Sequence, residues 1–127
     1  MSGATVAFPL EGQRVRIDPP DIASVSSINR LADSQAVGHL TLESAGTTLT
    51  IQELCIDQPY RSYGCGSETG FLIVSAATAA GFDLLRAWAA PDLGLSVYFW
   101  SRMGFHPLHG EGPNGGIWLE RRAPITA

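Results

Sequence analysis

A glycine-punctuated segment that follows an apolar strand contains the residues best suited to chemistry. It runs from Arg61 to Ser67, and the strand before it ends at Ile56. Gly64 and Gly66 carry no Cβ atom, so the backbone can turn tightly there and a ligand can approach it closely. The first N–H groups of a following helix lack intrahelical acceptors, and the helix dipole is positive at that end. The segment therefore predicts an anion site suited to a pyrophosphate, with Arg61 adding a charged contact, although the same pattern also occurs as plain turn chemistry.

A strand, a helix and a second strand must hold this segment in place. The β-branched residues from Thr47 to Ile56 predict the first strand. Small and apolar residues from Ser67 to Ala80 predict the helix, and Gly81 is placed to end it as a left-handed cap. The residues from Phe82 to Ala89 predict the second strand. Because a helix joins the two strands, we expect them to be parallel and connected by a right-handed crossover.

The remaining elements are predicted from alternation, turns and helix caps. In chain order they are a hairpin of Val6–Leu10 with Gln13–Ile17, a helix from the Asp21 cap through Leu31, a strand at Ala36–Leu42 antiparallel to its successor, a helix that ends at Gly104, a loop over 107–114, and a last strand at Gly116–Arg121. The pattern contains no repeat and no linker, so we expect one domain over residues 1–127.

Composition excludes several classes of function. The chain has 127 residues, of which 45% are hydrophobic, enough for one packed core. Its formal net charge is −4, from 12 acidic and 8 basic residues, which does not favour a nucleic acid partner. Its 2 cysteines suggest neither a disulfide framework nor a zinc ribbon. No apolar run reaches the roughly 18 residues of a membrane span, and the N-terminus does not look like a signal peptide. We expect a cytoplasmic protein with no membrane partner.

Two motifs resemble one enzyme family. Arg61-Ser62-Tyr63-Gly64-Cys65-Gly66 resembles the Arg/Gln-x-x-Gly-x-Gly signature of the GNAT acetyltransferases, and it precedes Ser67 at the helix start. The second motif is the aromatic helix Tyr98-Phe-Trp-Ser-Arg-Met-Gly-Phe105, which resembles the family's helix closing on Gly-Phe. The resemblance covers roughly the second half of the chain. Two motifs in the right order are more specific than either alone.

The resemblance implies a fold, a co-substrate and a set of contacts. The fold would be α/β (α+β), a GNAT-like splayed mixed β-sheet flanked by helices, with a shortened N-terminal region. Acetyl-CoA would lie where two strands part, with its pantetheine arm along Cys55 and Ile56. Its pyrophosphate would bind the backbone from Ser62 to Ser67, beside Arg61. Trp100 and Arg102 would contact the co-substrate from the second motif.

The catalytic residues depart from the family pattern. The family places its general base at positions matching Thr50 or Gln52, and neither residue is an acid. Glu53 is the carboxylate nearby, but strict alternation puts it on the opposite face, so it reaches the site only if the strand bulges. The alternatives for Glu53 are a surface or salt-bridged role, with catalysis by a water relay or by proximity.

The acid position of the family falls on Trp100, which has no hydroxyl group. Tyr98 is the neighbouring candidate for a catalytic acid, about 200° around the helix from Trp100. The structural alternative is that the aromatic side chains of this helix pack on the sheet. Spacing around His106, His109 and Glu111 could be drawn as a metal site, but a Pro- and Gly-rich loop is a poor frame, so we expect no metal.

Two functions follow from these patterns. The first is an acetyl-CoA-dependent N-acetyltransferase in which a small-molecule or peptide amine attacks the thioester directly. The second is a catalytically weak or inactive CoA-binding module with a regulatory or interaction role. The region before the loop has room for one helix where the family usually has two, so the acceptor site is expected to be open or completed by a second subunit. An exposed edge strand after Gly116 would serve such a homodimer.

Overall fold

Eight strands and two helices make up the described part of the chain. The computed structural model describes residues 5–60, 64–89, 94–108 and 116–122. The strands are β1 (Leu10–Glu11), β2 (Val15–Ile17), β3 (Val25–Arg30), β4 (Ala36–Ala45), β5 (Thr48–Ile56), β6 (Leu84–Ala89), β7 (His106–Pro107) and β8 (Ile117–Arg122). The helices are α1 (Cys65–Ala80) and α2 (Gly94–Arg102), and a 3₁₀ turn spans Gln58–Tyr60.

The strands form one mixed sheet in the order β1-β2-β3-β4-β5-β6-β8-β7. β5 and β6 are parallel and are joined through α1, whereas the other neighbouring strands of the described residues pair antiparallel. The predicted strand-helix-strand unit is therefore confirmed, as is the mixed sheet flanked by helices. The predicted hairpin forms, with Leu10 opposite Ile17, but its first strand is shorter and later than predicted, because β1 begins at Leu10 and residues 6–9 are not in a strand.

Both helices pack on the same face of the sheet. Gly70 of α1 approaches α2 so closely that a Cβ atom on it would be 3.2 Å from Phe99 Cζ. Trp100 of α2 packs edge-on against Phe105, with 5.1 Å between ring centroids. The core draws on buried residues of the central strands and of both helices, including Val37, Leu40, Leu49, Ile51, Ile73, Ala77, Leu85, Ala87, Trp100 and Leu119.

The glycines predicted to end the helices do so. Gly81 has φ 95° and Gly104 has φ 89°, both in the left-handed region. At the end of α1, the N–H of Phe82 bonds the carbonyl of Ala77 at 3.1 Å, which satisfies a carbonyl that the helix leaves without an intrahelical donor.

The helix predicted from Asp21 through Leu31 is wrong, because residues 21–24 form a turn and Val25–Arg30 form β3. Asp21 does accept the hydrogen bonds of a cap: its Oδ1 accepts from the N–H groups of Ala23 and Val25, at 2.8 and 3.0 Å. The chain then continues extended, since Ser26 and Ile28 are buried with period two. An Asp side chain that satisfies nearby N–H groups makes a turn as readily as a helix start.

Two further expectations are corrected at the ends of the sheet. Among residues 5–57 the structure shows no helix, where the sequence left room for one. The last strand, β8, was expected to be an edge strand. It is an inner strand, because it lies between β6 and β7. The two-residue β7, His106 and Pro107, lies at the start of the predicted loop, which was expected to begin at Pro107, and it pairs with Glu120 and Leu119. No helix in the described ranges is long and apolar enough to cross a membrane.

Candidate functional site

The two parallel strands separate partway along their length. β5 pairs with β6 from Thr48 to Ile51, opposite Leu84 to Ala87. Pairing within the described residues ends there, although β5 continues to Ile56 and β6 to Ala89. β5 stays paired with β4 along this second half, so β6 is the strand that diverges. The result is a cleft in the sheet between Gln52–Ile56 and the end of β6.

A β-bulge at Gln52 marks the point where the strands part. Opposite β4, Glu53 pairs with Thr41 and Ile51 pairs with Leu42, so Gln52 is the extra residue. The bulge breaks the strict alternation that the sequence suggested. Gln52 and Glu53 are both exposed, while Ile51 and Ile56 are both buried.

The bulge moves Glu53 to the face opposite the helices. Thr41 and Glu43 are alternate residues of β4 and share a face, and they lie opposite Glu53 and Thr50. Glu53 therefore shares the face of Thr50, although the alternation had placed the two residues on different faces. The condition under which Glu53 reaches the site, a bulge in β5, is met. Its catalytic role stays a prediction.

Glu53 contacts a histidine that the sequence did not predict to lie at the site. Its Oε1 atom lies 2.8 Å from Nε2 of His39, on β4. Both side chains are partly exposed, 53% for Glu53 and 38% for His39. The contact depends on the register of β4 against β5, since His39 lies opposite Cys55 and diagonal to Glu53. No local pattern around His39 signals it.

The glycine segment leads into α1 at the same end of β5. Gly64 is the residue before the helix, with φ 86° and no side-chain cap. The first N–H groups of α1, from Cys65 to Ser67, therefore lie at a helix terminus with no side chain of the preceding residue over them. Gly66 packs against Ile56 at the end of β5. Cys65 is buried and Cys55 partly buried, and both thiols are unbonded.

The predicted contacts of Arg61, Ser62 and Tyr63 lie outside the described residues. In the described part of the segment, Gly64 to Ser67, a glycine turn leads into a helix start, as the sequence predicted. Whether it holds a phosphate stays a prediction.

A second cation reaches the start of α1 from the first hairpin. A Cβ atom on Gly64 would lie 3.2 Å from Nε of Arg14 and 3.6 Å from its Cζ. The hairpin is fixed by Glu68 of α1, whose Oε1 accepts from the N–H groups of Arg14 and Val15 at 2.6 and 2.8 Å. The acidic side chain in the first turn of α1 is thus directed into the hairpin, while the guanidinium of Arg14 lies at the helix start.

The aromatic residues of α2 divide between the core and the surface. Trp100 is 4% exposed and packs on Phe99 and Phe105, at centroid distances of 4.9 and 5.1 Å. Tyr98 is 61% exposed, with the guanidinium of Arg102 5.7 Å from the centre of its ring. Trp100 thus has the packing role that was the structural alternative for the aromatic residues of this helix. The roles of Tyr98 as an acid and of Trp100 and Arg102 as co-substrate contacts stay predictions.

The face that carries Glu53 has no helix on it in the described residues. Arg86 lies opposite Thr50 and shares this face, where its guanidinium stacks 4.8 Å from the ring centre of Trp118. Nε of Arg86 also lies 3.3 Å from Oε2 of Glu120. Trp88 lies opposite Trp118 on the same face. Glu53 therefore lies on an open face of mixed polar and aromatic character.

The described residues hold no cluster of His, Cys, Asp or Glu that could bind a metal ion. Of the three residues that could be drawn as a metal site in the sequence, His106 begins β7, and His109 and Glu111 lie outside the described residues.

Comparison with known sequences gives no match. No protein-family model matches the chain, and no curated protein sequence does.

Comparison with solved structures gives one consistent answer. A GCN5-related N-acetyltransferase from Brucella melitensis superposes with a TM-score of 0.77 over 97% of this chain and 83% of that one, at 11% identity. A GNAT-family acetyltransferase from Bacillus anthracis gives 0.76 over 91% and 99%, at 10% identity. A Bacillus subtilis acetyltransferase in complex with CoA gives 0.64 over 80% and 78%, at 13% identity. The chain has the GNAT acetyltransferase fold.

Proposed function

We propose that this protein transfers an acetyl group from acetyl-CoA to an amine. The observation that carries the proposal is the parting of β5 and β6 after Ile51 and Ala87, at the end of β5 that leads into α1. A cleft in the sheet and a helix N-terminus beside it suit a long ligand with a pyrophosphate in its middle. The B. subtilis protein of the same fold was solved with CoA bound.

The chain offers suitable groups along the whole cleft. The edge of β5 from Gln52 onward faces the gap left by β6, where a pantetheine amide can pair as a strand would. The proposed ligands of the pyrophosphate are the N–H groups of Cys65, Gly66 and Ser67 at the start of α1 and the guanidinium of Arg14, which lies near Gly64. Arg61, Ser62 and Tyr63 are predicted to complete the site. Bound acetyl-CoA supplies a thioester whose carbonyl carbon an amine can attack.

The reaction exchanges one bond for another. The amine nitrogen forms a bond to the carbonyl carbon, the carbon–sulfur bond breaks, and CoA leaves as a thiolate that takes up a proton. The amine must lose a proton, and Glu53 is the proposed acceptor because the bulge at Gln52 turns it to the face shared with Thr50. Holding the amine next to the thioester supplies much of the remaining acceleration.

The open face favours a broad class of acceptor. No helix of the described residues covers Glu53, so the amine can belong to a peptide as well as to a small molecule. Glu43 lies on the same face, where its Oε1 accepts from Gln52 Nε2 at 3.3 Å. Two carboxylates on one face favour a positively charged acceptor. A homodimer stays a prediction. The edge strand expected to form its interface is absent at β8, because β8 lies inside the sheet.

A catalytically weak CoA-binding module is the second candidate. The observation in its favour is Trp100, which fills the position of the family's tyrosine, has no hydroxyl to protonate the thiolate, and is buried in the core. The two candidates share the co-substrate and differ in turnover.

The test is release of CoA thiol under multiple turnover. Purified protein is incubated with acetyl-CoA and, in turn, with spermidine, free lysine and a lysine-rich peptide, and products are identified by mass spectrometry. We expect an acetylated amine and many turnovers per protein molecule with at least one acceptor. We expect Glu53→Gln to lower kcat about 100-fold, the low end for losing a general base. Acetyl-CoA binding without turnover of any of these amines would establish the binding module instead.

The two unbonded thiols support a reducing compartment. We propose the cytoplasm as the place where the protein acts.

A further inference from the structure

We infer that His39 is a positioning residue for Glu53, holding the carboxylate in the orientation in which it accepts the proton of the amine. The inference rests on the proposed function and adds to it a residue that neither motif contains. The observation behind it is the 2.8 Å contact between His39 Nε2 and Glu53 Oε1.

The order of the strands gives the two residues different positions relative to the cleft. Glu53 lies on β5, which borders the gap left by β6, and His39 lies on β4, one strand farther away. An acceptor in the cleft therefore meets Glu53 before it meets His39. This order makes Glu53 the group that contacts the amine and His39 the group that acts through Glu53.

The contact also assigns a donor or acceptor role to each polar atom of the pair. An ionised carboxylate only accepts hydrogen bonds, so the proposed arrangement is the tautomer in which Nε2 of His39 carries a proton and donates it to Oε1. Oε2 of Glu53 is left to accept from the amine. A partly exposed Glu side chain has many rotamers, and one strong hydrogen bond from a neighbouring strand reduces that freedom before the acceptor arrives.

The pair exists because of the bulge. His39 and Glu53 share a face only because the extra residue Gln52 moves Glu53 to the side away from the helices. The same bulge lies where β5 and β6 part. The bulge at Gln52 therefore lies at the start of the cleft and also brings Glu53, the proposed base, next to His39.

The experiment is a double-mutant cycle on kcat, using the amines named above. The variants are His39→Ala, His39→Gln, Glu53→Gln and the double variant with His39→Ala and Glu53→Gln. Thr41→Ala is the matched control, because Thr41 lies opposite Glu53 on the same strand and face as His39. Binding of acetyl-CoA by calorimetry and the thermal unfolding midpoint are recorded for each variant, so that a folding defect is recognised.

We expect His39→Ala to lower kcat about tenfold with the Kd of acetyl-CoA unchanged, which corresponds to about 1.4 kcal/mol. His39→Gln, whose amide can still donate to Oε1, should recover to within about threefold of the wild type. In the Glu53→Gln background, His39→Ala should cause no further loss, since residues that act as one unit are not additive. Thr41→Ala should leave kcat within about twofold.

Two results separate this inference from the function that it builds on. A wild type that turns over none of these amines overturns the proposed function, and this inference with it. A wild type that is active, while His39→Ala keeps full kcat or loses the same factor with and without Glu53, overturns the positioning role alone.

Discussion

The side chain of Arg14 lies against the backbone of Gly64, with Nε only 3.2 Å from where a Cβ atom on that glycine would stand. The two residues are far apart in sequence and meet because Glu68 of α1 accepts two N–H groups of the β1–β2 hairpin. The N-terminal hairpin is thus tied to the helix start that is the proposed pyrophosphate site. The hairpin therefore places a cation beside that proposed site as well as adding strands to the sheet.

Arg14→Gln should weaken the binding of acetyl-CoA about three- to tenfold, because it removes a charge from an exposed phosphate contact. The loss should shrink as the salt concentration rises. Calorimetry at two ionic strengths measures both effects. Arg16→Gln is the matched control, since Arg16 lies on the same hairpin, 3.2 Å from Asp18, and should leave the Kd unchanged. Equal weakening by both variants would mean a general charge effect and no specific contact.

Gly38→Ala should destabilise the fold by about 1–3 kcal/mol. Gly38 of β4 lies opposite Ile56, and a Cβ atom on it would collide with the carbonyl oxygen of Cys55. The collision involves backbone and pushes the end of β5 away from β4, at the strand that borders the cleft. Urea unfolding measures the change. Gly46→Asn, at a turn with open space around it and φ 60°, should stay within about 0.5 kcal/mol because Asn tolerates that φ. A stable Gly38→Ala variant would contradict the close approach of these two strands.

Trp100→Phe should lower the free energy of unfolding by about 1–3 kcal/mol, because it leaves a cavity beside Phe99 and Phe105. If Trp100 acts through core packing, the Kd of acetyl-CoA should change little. Tyr98→Phe, on the exposed side of the same helix, should change stability by less than about 0.5 kcal/mol. The same variant tests the predicted acid, since a fall in kcat at unchanged Kd would show that the hydroxyl of Tyr98 takes part in turnover. Stability unchanged by Trp100→Phe would place that ring outside the core.

Asp33 should titrate below its usual range. The hydrogen bond from Arg30, and then the one from the N–H of Gln35, lower the pKa of this carboxyl group. A carboxyl group whose pKa is lower in the folded state stabilises the fold above its unfolded pKa of about 3.9, and that contribution is lost as the pH falls through the folded pKa. Both groups are exposed, so the contribution is small.

Carbon-13 NMR of the carboxyl groups measures this titration. In Arg30→Gln the pKa of Asp33 should return towards its ordinary value. Arg30 also stacks on Tyr60, at 5.1 Å from the ring centre, so the same variant loosens the turn at Gln58–Tyr60. An Asp33 pKa at its ordinary value in the wild type would show that the pair does not form in solution.

The part of the fold that depends on local pattern could be predicted from the sequence. The β5–α1–β6 unit follows from β-branched residues, a helix of small side chains and a glycine cap at Gly81, each of which acts over a few residues. The error at Asp21 arose because one side chain can satisfy the same N–H groups at a helix start and in a turn. Burial of Ser26 and Ile28 against the rest of the sheet decided between them.

The part of the site that depends on register could not be predicted. The positions of Glu53 and His39 require the bulge at Gln52, which is set by pairing between β4 and β5 and leaves no mark in the sequence of either strand. Arg14 is held near Gly64 by the hydrogen bond from its backbone N–H to Glu68, and these two partners are 54 residues apart in the sequence. The prediction that β8 is an edge strand was wrong for a similar reason. β7 pairs with it at the edge of the sheet, and the two residues of β7 are too few to give an alternating pattern in the sequence.

Calorimetric titration of acetyl-CoA into wild type, Gly64→Glu and Gly81→Glu tests the central claim most directly. Both glycines flank α1 with positive φ, 86° and 95°, so both variants carry a similar backbone strain. Only Gly64→Glu places a negative side chain where the pyrophosphate is proposed to bind. We expect micromolar binding by the wild type and by Gly81→Glu, and a loss of at least about 30-fold in Gly64→Glu, or about 2 kcal/mol. Absence of binding by the wild type, or equal affinity of all three proteins, would contradict a CoA site at the start of α1.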